Sequence, residues 1–219
     1  MRIRIIAALA SAAIVLAACG GGSTTAAAPS TAGSQTPAQT PITPKPHSPK
    51  PSPVPVESPV PAESNPPGDI PDSTQFVPYA SHGGGFKISV PEGWARTTDH
   101  SSVTFTDKLN TVVVTWQPAS SAPSVTSATS TEVPQLRKTT RAFRLKNVSS
   151  VSLPAGLAVL IEYQANSDPN PVTGKQYRLD VLRYELFHNG TQEAITLLSP
   201  VGADNVDPWR IVTQSFSWM

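Results

Sequence analysis

Residues 85–94 read Gly-Phe-Lys-Ile-Ser-Val-Pro-Glu-Gly-Trp, and this stretch decides the fold. Phe86, Ile88 and Val90 alternate with polar residues, which is the period-two pattern of a strand with one buried face. The Pro-Glu-Gly that follows is typical of a turn, and Trp94 comes directly after it. The sequence therefore predicts a half-buried strand that ends in a tight turn.

The chain beyond this stretch predicts further strands and two helices. The predicted strands are Phe86–Val90, Val103–Phe105, Thr111–Trp116, Val148–Leu153, Leu157–Tyr163, Gln176–His188 and Ala194–Leu198, and the predicted helices are 131–143 and 207–216. The order is three strands, a helix, four strands and a helix. This order favours the α+β class, with an antiparallel sheet of about six to seven strands and helices packed on it.

Several local signals refine this prediction. Thr131 is expected to cap the first helix and Asp207 the second. The strand Gln176–His188 is apolar on both faces in its middle, as in a central strand, and its apolar parity switches near Val181-Leu182, which predicts a bulge. Asn189-Gly190 predicts a type I′ hairpin turn.

Residues 85–94 also resemble the opening "GF-x-[IV]-x-[VL]-P-x-GW" of Mog1/PsbP-like domains, which are common in bacterial lipoproteins. The resemblance implies an α/β/α sandwich from Phe86 to Phe216. It marks the fold and not a chemistry, since the group is mostly non-enzymatic. It supplies no shared catalytic residues, so none is expected here.

The N-terminus has the pattern of a secretory signal. Arg2 and Arg4 give a positive start, and Ile5 to Ala18 is apolar or small except for Ser11. A helix of this length rises roughly 21 Å, which is short of the roughly 30 Å hydrocarbon core of a bilayer. We therefore expect residues 1–18 to be a signal peptide rather than a permanent membrane span.

The end of this apolar run resembles the bacterial lipobox. The matching residues are Leu16, Ala17, Ala18 and Cys19, followed by Gly20. The resemblance implies that signal peptidase recognises the first three and cuts before Cys19, whose sulfur carries a diacylglyceryl group. Two or three acyl chains hold stably to a membrane, whereas one holds only marginally. The alternative is a plain secreted protein with a cysteine near its cleavage site.

Residues 19–71 are expected to be a disordered linker after the lipidated cysteine. There is no aromatic residue between Gly20 and Pro71, and 14 of the 24 prolines lie between Pro29 and Pro71. Such a segment buries too little apolar surface to offset the entropy of ordering. A spacer is the favoured interpretation; a docking ligand for aromatic grooves and a carrier of O-linked sugars are the alternatives. The folded domain is then expected at 72–219.

The composition of that domain argues against several classes of function. Residues 72–219 contain 12 Lys and Arg and 12 Asp and Glu, so no general attraction to nucleic acid is expected. Cys19 is the only cysteine, and its acylation leaves no thiol for a disulfide or a nucleophile. The sequence has no zinc-enzyme histidine spacing, nucleophile elbow or phosphate-binding loop. We expect no cofactor, no metal and no catalysis.

Two surfaces are the best candidates for recognition. One is the loop that enters the first strand, with His82 before three glycines. The other is the basic face of the first helix, with Lys138 and Arg141 off its apolar stripe. The expected partners are the membrane, through the lipid on Cys19, and an envelope protein or an anionic wall or lipid component.

Together these features predict a lipid-anchored protein on the extracytoplasmic face of the cell membrane, whose single domain is a non-catalytic binding or accessory module. Two alternatives remain. One is an envelope enzyme whose site assembles across loops, which a cluster of titratable residues in a deep pocket would favour. The other is a purely structural lipoprotein that spaces the wall.

The first testable prediction concerns the anchor. Replacing Cys19 with Ser should abolish lipid attachment, because the lipobox sulfur is the proposed acylation site. Incorporation of a labelled fatty acid into the protein measures this directly. Label that still enters the Cys19→Ser protein would contradict the lipoprotein interpretation.

Overall fold

The computed structural model describes residues 57–65 and 67–219. The predicted signal peptide, Leu16, Ala17, Ala18 and Cys19, and the linker as far as residue 56 lie outside the described residues. The described part contains a seven-stranded and a three-stranded sheet, both antiparallel, with helices packed against them. The α+β fold expected from the sequence is confirmed.

The large sheet has the order β3-β4-β5-β9-β8-β7-β6. Its strands are β3 (Ala95–Asp99), β4 (Ser102–Asp107), β5 (Asn110–Pro118), β6 (Arg144–Leu153), β7 (Gly156–Asn166), β8 (Arg178–His188) and β9 (Thr191–Pro200). After β5 the chain leaves the sheet, returns as β6 at the far edge, and winds back strand by strand until β9 pairs with β5.

The small sheet has the order β1-β2-β10. Its strands are β1 (Phe76–Ser81), β2 (Phe86–Pro91) and β10 (Ser217–Trp218). The strand predicted from residues 85–94 is therefore real, but it belongs to this second sheet rather than to the main one. β1 and β3 were not predicted as strands. All residues of β3 are exposed, so its sequence carries no apolar alternation.

Two apolar cores lie on opposite faces of the large sheet. On one face, the small sheet and helix α3 (Val206–Ser215) cover Val112, Val114 and Ile195. On the other face, a helical segment covers Val159, Ile161 and their neighbours. This segment consists of α1 (Val125–Ser127), a π-helical turn (Ala128–Glu132) and α2 (Val133–Thr139). The result is three layers with the large sheet in the middle.

The helix boundaries differ from the prediction in three places. The first helical segment begins at Val125, because Ser124 and Ser127 form a capping box, and not at Thr131. It ends at Thr139, and the Phe143 ring packs on Tyr163 from outside the helix. In α3 the N-cap is Asn205 rather than Asp207, whose carboxylate instead lies 2.9 Å from Arg210 Nη2.

The predicted bulge at Val181-Leu182 is wrong, because β8 pairs with both of its neighbours in continuous register there. The switch in apolar parity arises because the two faces of β8 pack against different layers. Val181 belongs to the core under the helical segment of α1 and α2, whereas Leu182 packs against the core under α3 and the small sheet. The register shift occurs in β6, between Leu145 and Asn147. The type I′ turn at Asn189-Gly190 is confirmed by positive φ angles of 47° and 80°.

Ordered packing begins before the expected boundary at Asp72. Residues 57–65 and 67–71, here called the strap, cross the end of the large sheet where β7 and β9 finish and β5 and β8 begin. Gly68 O accepts hydrogen bonds from Asn110 Nδ2 at 2.7 Å and Asn205 Nδ2 at 2.9 Å. Ile70 is buried, and its N–H donates to Asn205 Oδ1 at 2.8 Å. The composition of residues 57–71 does not predict that the strap is packed, because its hydrogen-bond partners, Asn110 and Asn205, lie far along the chain.

Gly68 fits this contact because it has no side chain. Its φ is +131°, a region that other residues rarely adopt, and a Cβ atom there would lie 2.9 Å from Pro200 Cδ. The strap backbone can therefore approach the end of β9 closely enough for both asparagine amides to reach the Gly68 carbonyl.

The second prediction follows from these contacts. Replacing Asn205 with Ala should lower the free energy of unfolding by about 2–4 kcal/mol, because it leaves the buried Ile70 N–H without its hydrogen-bond acceptor. The exposed Asn65, in the same strap, is the matched control, and Asn65→Ala should have little effect. Urea denaturation measures both. Equal stability of the two variants would show that the strap does not contribute to the fold.

Candidate functional site

A cavity lies on the helix-covered face of the large sheet, at the end that the strap crosses. Its volume is about 580 Å³, within the usual range of ligand pockets. Its floor is apolar and is formed by Tyr163, Ala165, Leu179, Val181 and Leu198. The helical segment stops at Thr139, and Phe143 packs on Tyr163 beyond its end; four of the floor residues are buried and Leu198 is half-buried.

Basic residues outnumber acidic ones among the residues that line the cavity, although each of the three cations is paired with a carboxylate nearby, of Asp107, Glu57 or Glu63. Lys108, Arg141 and Lys175 line the cavity, and Asp168 is the single acid among the lining residues. Lys108 comes from the β4–β5 turn, Arg141 from the turn after α2, and Lys175 from the loop between β7 and β8. The cavity thus combines an apolar floor with basic groups at its mouth.

Backbone contacts hold Arg141 in place. The turn after α2 contains Ala142 at φ 45°, an uncommon conformation for a residue with a side chain. The Asn166 N–H donates to Arg141 O at 3.0 Å, and Arg178 Nη1 donates to Ala142 O at 2.9 Å. Residues of β7 and β8 therefore hold this turn at the end of the sheet by hydrogen bonds.

The strap supplies acids to two of the rim cations. Arg141 Nε lies 3.0 Å from Glu57 Oε2, and Lys175 pairs with Glu63. Asn166 Nδ2 donates to Glu57 Oε1 at 3.2 Å and to Ser58 O at 2.9 Å. Desolvation raises the pKa of Glu57, but hydrogen bonds from Gln176 and Asn166 and the charge of Arg141 bring it below its ordinary value. Its carboxylate is therefore ionised at neutral pH.

The loop between β7 and β8 positions Lys175. Asn170 Oδ1 accepts hydrogen bonds from the N–H groups of Val172 and Thr173, both at 3.0 Å, and Asn170 N donates to Lys175 O at 2.9 Å. Lys175 Nζ lies 4.6 Å from the centroid of the Tyr177 ring. The hydrogen bond to Glu63 raises the pKa of Lys175 most, and contact with Tyr177 adds to this.

The three binding residues predicted from the sequence do not form one site. His82 lies exposed in the β1–β2 turn, on the side of the large sheet away from the helical segment. Lys138 is exposed on α2, and Arg141 alone lines the cavity. Arg141 lies in the turn after α2 rather than on the helix, where it is half-buried and paired with Glu57.

Lys108, Lys175 and the apolar floor were not predicted from the sequence. Both lysines lie in turns, and only the sheet order brings those turns beside Arg141. The alternation in β7 and β8 does predict which residues share a face, but it does not show that the helix stops short of them.

Two buried carboxylates lie outside this cavity. Glu185 is 1% exposed, and Arg183 Nε donates to its Oε1 at 3.0 Å; Arg183 also pairs with Glu132 at 3.0 Å. Glu193 is 0% exposed, and neither carboxylate oxygen has a hydrogen-bond partner. Burial raises the pKa of Glu193 to about 8.

These carboxylates do not form a catalytic pair. Glu193 is opposite Trp116 and Leu186 in the sheet, and both of those residues pack in the core under α3. Glu185 comes directly before Leu186 in β8, so its side chain lies on the opposite face of the sheet. There it contacts the helical segment through Arg183 and Glu132. The sheet itself therefore separates the two acids.

Within 57–65 and 67–219, no three His, Cys, Asp or Glu side chains lie close enough together to hold a metal ion. Among the helices of these same ranges, none is long and apolar enough to cross a membrane.

Solved structures similar to this chain include three of particular interest. PsbP (CyanoP) from Synechocystis sp. PCC 6803 has 16% identity and a TM-score of 0.48, and the match covers 70% of this chain and 99% of that chain. The Ran-binding protein Mog1p of Saccharomyces cerevisiae has 11% identity and a TM-score of 0.45, with 66% and 95% covered. LpqN, involved in cell envelope biogenesis of Mycobacterium tuberculosis, has 11% identity and a TM-score of 0.43, with 67% and 91% covered.

No family model and no curated protein matches the sequence. PsbP and Mog1p, which give their names to the group that residues 85–94 resemble, are nevertheless among the similar structures. The α+β class expected from the sequence is established by the antiparallel sheets and helices of this chain itself.

The third prediction concerns Glu193. Its folded pKa of about 8 exceeds the ordinary 4.5, so the folded protein holds an extra proton between these values. Stability should therefore fall as pH rises from about 4.5 to about 8, by up to ~1.4 kcal/mol per pH unit, and level off above. Glu193→Gln should remove this slope, whereas Glu92→Gln, at an exposed site, should keep it. Denaturation at several pH values measures both, and an unchanged slope in Glu193→Gln would contradict burial of an unpaired carboxyl.

Proposed function

We propose that this protein is a lipid-anchored binding protein of the extracytoplasmic cell envelope, and that its domain binds a ligand in the cavity rimmed by Arg141. The anchor is Cys19, in the lipobox that follows the signal peptide. The observation that supports binding is the 580 Å³ cavity itself, because its apolar floor and polar mouth are the combination typical of ligand sites.

The position of the cavity also supports a binding role. The rest of this face is filled by the helical segment, whose Val133 and Leu136 pack on the sheet. Beyond the end of this segment, loops border the sheet in place of a helix, and basic residues from three separate turns surround the cavity that remains there.

The proposal excludes catalysis by this site. The lining residues include one acid, Asp168, and no histidine. The two carboxyl groups with raised pKa values, Glu185 and Glu193, lie on opposite faces of the sheet. Arg141 and the two lysines can bind and orient a ligand, but the cavity does not pair a proton donor with a base. His82 and Lys138 remain predicted contacts for an envelope partner.

The fourth prediction tests this function. The protein from Gly20 onward is incubated with an envelope extract, separated from it, and examined by native mass spectrometry. We expect a bound small molecule that is recovered with unchanged mass. Leu198→Trp should lose it, because the indole fills the cavity. Leu157→Trp is the matched control, at a 73% exposed position at the far end of β7, and it should retain the ligand.

Two results would contradict the proposal. One is a Leu198→Trp protein that is folded by circular dichroism and keeps the ligand, since the ligand would then bind elsewhere. The other is chemical conversion of the ligand by the wild-type protein, since the site would then be an enzyme's.

A further inference from the structure

We infer that the ligand of this cavity is a single-chain anionic amphiphile, whose head group takes the place of Glu57 beside Arg141 and whose chain covers the apolar floor. This inference rests on the proposed function and specifies the ligand class for the same site. The shared chemistry is one alkyl chain with a carboxylate or a phosphate at its end.

The floor provides the evidence for an alkyl chain. Leu179, Val181 and Leu198 present aliphatic side chains from β8 and β9, and Ala165 and Tyr163 extend the surface along β7. Burial raises the pKa of Tyr163, so its hydroxyl stays neutral. No charged side chain belongs to this floor within the described lining, and a chain that covers it gains about 0.8 kcal/mol for each buried methylene.

The mouth provides the evidence for an anionic head. Arg141 and Lys175 stand at one side of the cavity and both already bind carboxylates, those of Glu57 and Glu63. The backbone at Arg141 is fixed by contacts to β7 and β8, and Glu57 is the group that pairs with its guanidinium in the free protein. A ligand carboxylate or phosphate would form an ion pair with Arg141 in place of the Glu57 carboxylate.

Glu57 and Glu63 do not line the cavity; they reach its cations from the strap outside. The two ends of the strap are held differently. Residues 68–70 are bound through two buried asparagines, Asn205 and Asn110, and Ile70 is itself buried. Residues 57–63 are bound through a single buried asparagine, Asn166, and through the partly exposed ion pairs of Glu57 and Glu63, which are individually weak. A ligand head group that replaces Glu57 at Arg141 would therefore loosen this end first, while the Ile70 end stays attached.

The anchor makes this ligand class accessible. Glu57 lies 38 residues after Cys19, which at most spans about 120 Å as an extended polyproline chain. A cavity tethered within this distance of a bilayer meets single-chain amphiphiles at a high local concentration. The proposed ligand thus matches the chemistry of the site and its expected location.

The fifth prediction is tested by isothermal titration calorimetry with the protein from Gly20 onward. The probes are dodecanoate, dodecyl phosphate and the neutral dodecyl maltoside, each below its micelle concentration, with octanoate and decanoate as shorter chains. Both anions should bind at least tenfold more tightly than the maltoside. Each added methylene should tighten carboxylate binding about fourfold.

Variants locate the two parts of the ligand. Arg141→Gln should weaken dodecanoate binding about 10–100-fold through loss of a charged hydrogen bond, and Lys175→Gln, at a more exposed position, severalfold. Glu57→Gln should tighten binding, because it removes the competing carboxylate. Lys87→Gln changes an exposed lysine of β2, on the other side of the large sheet, and should bind like wild type. Thermal melts confirm that each variant is folded.

The outcomes separate this inference from the proposed function. Equal binding of dodecanoate and dodecyl maltoside, or unchanged binding by both Arg141→Gln and Lys175→Gln, would overturn the anionic ligand class while leaving the cavity as a binding site. Unchanged affinity in Glu57→Gln would overturn the exchange with the strap. Dodecanoate binding that survives Leu198→Trp would place the ligand outside this cavity, and the proposed function would fail with the inference.

Discussion

The packed structure depends on three buried asparagines at one end of the large sheet, Asn110, Asn166 and Asn205. Each meets the strap: Asn110 and Asn205 donate to Gly68 O, Asn205 accepts from Ile70 N, and Asn166 accepts from Val60 N at 3.1 Å. A buried amide that lost these partners would leave unsatisfied polar groups, which are costly. The asparagines therefore bind the segment before the first strand and close the end of the sheet, where antiparallel strands would otherwise stop at solvent.

The same end of the sheet holds the cavity, and one residue connects the two. Asn166 donates its backbone N–H to Arg141 O, and its side chain binds Glu57, Ser58 and Val60 of the strap. Arg178 Nη1 donates to Asn166 Oδ1 at 3.0 Å from the neighbouring strand. The position of the rim arginine and the path of the strap are thus fixed by one hydrogen-bond network. A ligand that contacts Arg141 acts on the part of the chain that leads toward the proposed membrane anchor.

The sequence predicted the strands and helices whose apolar residues repeat regularly, because periodicity reports burial. It predicted β7, with its alternation from Leu157 to Tyr163, and the buried stripe of α3. It did not predict β3, which is entirely exposed, or the strap, whose burial comes from a single isoleucine and from backbone bonds to distant side chains. For the site, the basic character of residue 141 was evident, but Lys108 and Lys175 became neighbours only through the non-local pairing of β5 with β9.

The central claim is that the strap has one fixed end and one exchangeable end beside the cavity. Residue-resolved amide hydrogen exchange of the protein from Gly20 onward, with and without dodecanoate, tests it most directly. In the free protein, the amides of Val60 and Ile70 should both be protected, because each donates to a buried asparagine. With dodecanoate bound, Val60 should lose protection while Ile70 keeps it. Fast exchange of both amides in the free protein, or unchanged protection of Val60 in the saturated complex, would contradict the account.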